Sequence, residues 1–219
     1  MPDEVYEVEL TALVYGGDAL GRLPDGRAVF VPFGLPGERV RVALTVEKRG
    51  HARARLLEVL RPSAERVAPV CRHFGVCGGC HYQHLPYPRQ LEYKRLILQE
   101  QLERIAGIEK PPVEAVQAAP QTLNYRNTVQ FHVSPRGKLG YIEADTPQVL
   151  EIEECHLPLP EINALWPSLE IEPTAEPGER PAGSPVERIH LRAGQEGEMM
   201  LVLEGADVLP PEFALDWPI

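Results

Sequence analysis

Apolar and polar positions alternate from Tyr6 to Val14, with Tyr6, Val8, Leu10, Ala12 and Val14 in one phase and Glu7, Glu9 and Thr11 in the other. That is the period-two pattern of a half-buried strand. Ala28 to Phe33 is a short apolar run, Arg39 to Val46 sets Val40, Val42, Leu44 and Val46 against Arg39 and Arg41, and Ala52 to Leu60 is again strand-like. Turn signals at Gly16-Gly17-Asp18, Pro24-Asp25-Gly26, Gly34 to Gly37 and Arg49-Gly50 separate them. Short strands at this spacing predict a small β-barrel over residues 1–62. A barrel of that size is OB-like, a class in which strand faces and loops meet RNA or DNA.

After Arg61-Pro62 the pattern changes. A segment rich in Gly, Pro and His is followed by a helix opening at Pro88, with Leu91, Leu98, Leu102 and Ile105 on one stripe and Gly107 as its C-terminal cap, expected to pack under the preceding segment. NYRNTVQFHV and LGYIEA flank a turn from Ser134 to Lys138 and read as a hairpin. The proline-rich stretch from Leu157 to Pro185 reads as surface loop around a short helix near Ile162 to Leu165. Arg188 to Ala193 and Met199 to Glu204 form a last strand pair, read as the start of a sheet whose remainder is missing.

With 219 residues, 43 % of them hydrophobic, the chain can bury a proper core in one or two domains. Its first residues, MPDEVYEVEL, lack the basic flank and apolar run of a signal peptide, and no stretch approaches a membrane span. These features predict a cytoplasmic, monomeric protein without a membrane partner. The formal charge of −10 seems to oppose nucleic acid, but its distribution matters more. Residues 1–110 carry 16 Lys and Arg against 14 Asp and Glu, whereas residues 161–219 carry 3 against 12. A basic face on the first half is therefore permitted. Arg39, Arg41, Lys48, Arg49, Arg53 and Arg55 are its candidates for phosphate contact, the bland alternative being a solvated strand face.

Three of the four cysteines fall within CRHFGVCGGCHYQH, residues 71–84, spaced C-x5-C-x2-C, and the fourth, Cys155, follows 75 residues after Cys80. In a reducing compartment such clustering points to metal-bound thiolates rather than disulfides. Four thiolates suit zinc or an iron-sulfur cluster. Structural zinc sites use two short ligand pairs, often with His, so the three-plus-one spacing favours a four-iron cluster, while His73, His81 and His84 keep zinc open.

CRHFGVCGGCHYQH before an amphipathic helix, NYRN before a hairpin, and IEECHLP around the last cysteine together resemble the uracil-5 RNA methyltransferase family of the type acting on 23S ribosomal RNA. The barrel is similar to the TRAM domain of those enzymes. The resemblance implies that Cys71, Cys77, Cys80 and Cys155 bind a [4Fe-4S] cluster. It also implies RNA as partner, 23S rRNA or possibly tRNA, with the target base extruded from its stack. The hairpin residues Tyr125, Arg126, Phe131, His132 and Lys138 are the RNA-contact candidates, Arg126 foremost, its alternative being an ion pair with Glu151 or Glu153.

Family members continue into an α/β domain that binds S-adenosylmethionine, and no Gly-rich strand-to-helix turn for a nucleotide cofactor is found before Ile219. The chemistry requires a thiolate to attack uracil C6 and a base to remove the C5 proton. With all four cysteines assigned as ligands, no catalytic residue is left. The expected fold class is thus mixed α+β: an OB-like TRAM barrel over 1–62, then a C-terminally truncated α+β iron-sulfur and central domain over 63–219, with the Rossmann-like catalytic domain absent and S-adenosylmethionine bound only through it. On this expectation the chain is inactive alone. A stand-alone RNA-binding module with a structural metal, and a small iron-sulfur electron carrier, are the competing readings.

Overall fold

The computed structural model describes residues 4–169, 171 and 186–205. The prolines at 173, 177, 181 and 185 of the expected surface loop lie outside the described residues. The chain divides into two compact units, one of residues 1–75 and 80–120, the other of residues 76–79 and 121–219. The first therefore runs well past the expected boundary at residue 62.

In the first unit, β1 (Val5–Leu13), β2 (Ala19–Arg22), β3 (Ala28–Val31), β4 (Arg39–Glu47) and β5 (His51–Arg61) close a barrel in the order β1-β2-β3-β5-β4. All pairings are antiparallel except β3 with β5. Strand alternation turns Val8, Leu10, Val29, Val31, Val40, Val42, Ala52 and Ala54 into one core. Register shifts between β4 and β5 are the bulges that bend two long strands tightly enough to close so small a barrel. The sequence pattern misses β2, which is four residues long and includes Gly21. A Cβ at Gly21 would fall 2.4 Å from Val8 Cγ1, so glycine is what lets β2 lie against β1 there.

Glu38, at the entry to β4, is fully buried. Its carboxylate accepts the Leu35 N–H at 2.9 Å, the Ser63 N–H at 3.2 Å, and Arg66 Nε and Nη2 at 2.6 and 2.8 Å. Arg66 Nη2 also donates to the Phe33 carbonyl at 2.8 Å. This cluster ties the segment leaving β5 to the loop before β4. Burial pushes the Glu38 carboxyl upward, but the Arg66 and backbone hydrogen bonds outweigh it and hold the group below its usual range.

The helix α1 (Tyr87–Arg104) starts after Pro86, with Pro88 in its first turn. Its packed face differs from the expected stripe. Ile97 is its buried residue and Tyr93 packs beside it on the barrel core, while Leu98 and Ile105 are exposed. The rotation is set by Gln90, whose amide donates to the Tyr82 and Leu85 carbonyls at 3.1 and 2.9 Å and fixes which face turns inward.

The second unit is an antiparallel five-stranded sheet ordered β10-β9-β6-β7-β8, from β6 (Thr128–Val133), β7 (Leu139–Ile142), β8 (Val149–Glu151), β9 (Val186–Ala193) and β10 (Met199–Gly205). The helix α2 (Pro160–Leu165) and a 3-10 turn (Trp166–Ser168) pack on it through Ile162, Leu165 and Trp166. The last strand pair is not the start of a further sheet: Thr128 to His132 of β6 pairs with Arg188 to Arg192 of β9, so the pair belongs to this one. The expected α+β character is corrected as well. Among the described residues ten strands stand against one 18-residue helix, one six-residue helix and a 3-10 turn, and the second unit is a sheet with only α2 and that turn against it. No helix of the described residues is long and apolar enough to cross a membrane.

Candidate cysteine centre and nucleic-acid face

The four cysteines are thiols, none in a disulfide. In the first unit, Gln83 holds two of them: its Oε1 accepts the Cys71 N–H at 3.1 Å and its Nε2 donates to Cys80 Sγ at 3.3 Å. Phe74 N–H donates to the Cys71 carbonyl at 3.2 Å, and its ring packs between Phe33 and His84, with centroids 5.2 Å from each. The loop is thereby stacked onto the barrel. His84, a candidate for a zinc shell, is fully buried there, with Nε2 3.4 Å from the Gly34 carbonyl oxygen. Burial and then the charge of Arg66 push its pKa down to about 4, which keeps the ring neutral.

In the second unit the Cys77 segment pairs with the end of β7. Cys77 bridges Glu143, the Gly78 N–H donates to the Ile142 carbonyl at 3.0 Å, and the Ala144 N–H donates to the Val76 carbonyl at 2.8 Å. A Cβ at Gly78 would come within 2.9 Å of that Ile142 oxygen, which is why the stretch between Cys77 and Cys80 takes glycine here. The Tyr141 hydroxyl lies 3.9 Å from Cys155 Sγ as its donor. Burial first, then Cys155 and Cys77, push this phenol well above its ordinary range.

Thiols are the donor type that holds an iron-sulfur cluster; here Gln83 bonds the Cys71 backbone N–H and the Cys80 sulfur, and the Tyr141 hydroxyl bonds the Cys155 sulfur. Among the described residues, however, no group of three or more His, Cys, Asp or Glu is gathered for a metal ion. Gln83 and Tyr141 are the residues that sequence reasoning missed. A lone glutamine or tyrosine carries no spacing signal, although CHYQH placed Gln83 beside the cysteines.

The RNA-contact candidates separate sharply. Arg126 and Tyr125 are exposed, on a segment pinned by both their N–H groups to the Leu157 carbonyl at 2.9 and 3.0 Å. Of the two alternative partners for Arg126, Glu151 and Glu153, the first accepts Arg136 at 2.5 Å and the Ser134 hydroxyl at 2.6 Å instead. Lys138 is exposed in the β6–β7 turn, and His132 is half-buried, its pKa lowered by burial and by Arg188. Phe131 is fully buried, its ring 5.2 Å from those of Tyr141 and Trp166, so its place as an RNA contact is corrected: alternation along β6 turns it inward. On the barrel, Arg39 pairs with Glu7 at 2.8 Å, Arg41 with Glu58 at 2.5 Å and Arg53 with Asp18 at 2.8 Å. Arg55 is exposed on β5. Of the six barrel candidates, Arg39, Arg41 and Arg53 therefore already face carboxylates.

Comparison with known proteins places this architecture. Residues 1–57 match the TRAM domain family. An uncharacterised RNA methyltransferase of Aquifex aeolicus is 38 % identical over 169 residues, 77 % of this chain and 39 % of that one. The 23S rRNA (uracil(1939)-C(5))-methyltransferase RlmD of Alkalilimnicola ehrlichii is 40 % identical over 161 residues, 71 % of this chain and 36 % of that one. These relatives are RNA methyltransferases, one of them named as a uracil-C5 enzyme. An uncharacterised RNA methyltransferase of Thermosynechococcus vestitus is 34 % identical over 96 % of this chain and 48 % of its own length. The fold is shared with the tRNA (uracil-54, C5)-methyltransferase of Pyrococcus abyssi, solved with S-adenosyl-L-homocysteine, at a TM-score of 0.61 and 22 % identity over 94 % of this chain and 47 % of that one. The chain thus spans under half the length of these methyltransferases. Their alignment along nearly all of it corrects the expected fold class on a second count. The described barrel and sheet share the fold of the aligned part of the Pyrococcus abyssi structure, and neither the absence of a catalytic domain nor inactivity follows from this chain.

Proposed function

We propose that the protein is an S-adenosylmethionine-dependent RNA (uracil-C5) methyltransferase acting on 23S rRNA, to which the described residues contribute RNA recognition and a [4Fe-4S] cluster held by Cys71, Cys77, Cys80 and Cys155. The observation that carries the reading is the 40 % identity to RlmD over 161 residues, 71 % of the chain. The hydrogen bonds of Gln83 to the Cys71 backbone and the Cys80 sulfur, and of Tyr141 to the Cys155 sulfur, support the ligand set. When bound, the cluster supplies cross-linking of its four thiolates rather than electrons, since methyl transfer to uracil involves no net redox change. Arg126, exposed and without an ion pair among the described residues, is the leading phosphate or base contact, with Tyr125 beside it as an aromatic platform.

Iron and acid-labile sulfide per chain, measured on protein purified without oxygen, test the cluster. About four of each, lost in Cys155→Ser, are expected; one zinc and no sulfide would overturn it. The activity is tested separately with labelled S-adenosylmethionine and a 23S rRNA transcript. Label recovered as 5-methyluridine is expected, and label on any other nucleoside would refute the assignment.

A further inference from the structure

The turn between β1 and β2 is closed by the Val14 N–H on the Asp18 carbonyl at 2.9 Å and the Gly17 N–H on the Val14 carbonyl at 3.0 Å. Gly16 and Gly17 both have φ of +94°. A Cβ at Gly17 would stand 2.8 Å from His81 Cβ, so the turn is braced against that residue. It carries Tyr15, which is 81 % exposed. An aromatic ring held out in water on a braced turn has its backbone entropy already lost, which is the economical arrangement for a stacking platform.

Tyr15 borders two grooves of the first unit. One, of about 520 Å³, is lined by His81, Lys94 and Leu98 among others, and the second, of about 260 Å³, by Phe30, Arg22 and Arg104; Tyr15 and Gln101 line both. The charges here differ from those on the β4 and β5 face. Lys94 has no ion pair among the described residues, Arg22 donates only to the Gly26 carbonyl at 3.1 Å, and Arg104 has Glu100 at a loose 3.8 Å. Arg39, Arg41 and Arg53 are each matched to a carboxylate at 2.8 Å or less. The barrel unit thus has three loosely held cations beside its most exposed aromatic. Aromatic faces interleaved with cations are what single-stranded nucleic acid requires, because each base offers a face to stack and each linkage a phosphate to neutralise. A duplex, whose bases are already stacked, has no face to give Tyr15.

We propose that these grooves hold a single-stranded RNA segment, with one base stacked on Tyr15 and flanking phosphates met by Lys94, Arg22 and Arg104. The inference rests on the RNA-binding reading above but assigns the contact to residues of the barrel unit rather than to Arg126 or the strand-face arginines.

The test is fluorescence anisotropy of a labelled single-stranded, uridine-rich RNA titrated with the 219-residue chain at several salt concentrations. Tyr15→Ala is expected to weaken binding about ten-fold, Tyr15→Phe to bind like the parent, and Lys94→Ala to flatten the slope of log K against log salt by about 0.7. Parental affinity and slope in both alanine variants, with binding still weakened by Arg126→Ala, would overturn the groove and leave the RNA-binding reading standing. A parent chain that binds no RNA at any salt would remove that reading and the groove with it. If Tyr15→Ala changes the sedimentation of the chain but not its RNA affinity, the surface joins copies of the protein and the proposal fails.

Discussion

Replacing Arg66 by Met keeps most of the side-chain stem but removes the guanidinium from Glu38, which is fully buried and accepts four hydrogen bonds, two of them from Arg66. Stranding one member of a buried pair costs about 3–5 kcal/mol. The Leu35 and Ser63 N–H groups still solvate the carboxylate, so the lower end, about 3 kcal/mol, is expected. The Phe33 carbonyl, at a residue with φ of +62°, also loses its Arg66 donor, which works against a smaller loss. The pH dependence supplies a second signature. In the parent, the folded carboxyl lies below its unfolded value of about 4.3, so its contribution is present above that pH and is lost as pH falls through the folded pKa. In Arg66→Met, burial is no longer outweighed and the carboxyl takes up a proton more readily. The deficit should therefore be largest at neutral pH and shrink in acid. Because the chain has two units, global melting is a poor reporter; exchange protection of the Leu35 and Ser63 amides, with urea unfolding followed across pH, reads the barrel itself. Equal protection at neutral pH, or a deficit that grows in acid, would refute the reasoning.

Two further perturbations address the second unit. Phe131→Ala removes a fully buried ring from between Tyr141 and Trp166 and should cost about 3–5 kcal/mol in urea unfolding, with the fluorescence of Trp166 shifting to the red; a cost below 1 kcal/mol would mean that the site collapses or that the ring is not in the core. Gly78→Ala forces a methyl against the Ile142 carbonyl and should cost about 1–3 kcal/mol while opening the Gly78 amide to exchange; an unchanged exchange rate would place the Cys77 segment elsewhere.

Where a feature depended on neighbours along the chain, it was readable beforehand. The long barrel strands, the β6–β7 hairpin and the short helix near Ile162 follow from alternation, turn residues and proline placement, and the spacing of Cys71, Cys77 and Cys80 marked them as a group. Features set by partners distant in sequence were not. The same alternation that announced β6 could not say that Phe131 would face Trp166 while His132 faced away, because phase alone does not name the buried side.

Composition and periodicity by themselves determined that this chain would build a small barrel first and place a cysteine-rich loop after it, since both are consequences of local backbone preference and residue chemistry. Tertiary structure alone decided the rest. It paired β9 with β6 rather than opening a new sheet, turned Ile97 instead of Leu98 toward the barrel core, and set Glu7, Glu58 and Asp18 against the arginines that had looked available for phosphate. Each of these joins residues more than a strand apart, where the free energy lies in register, burial and charge pairing that no local window contains.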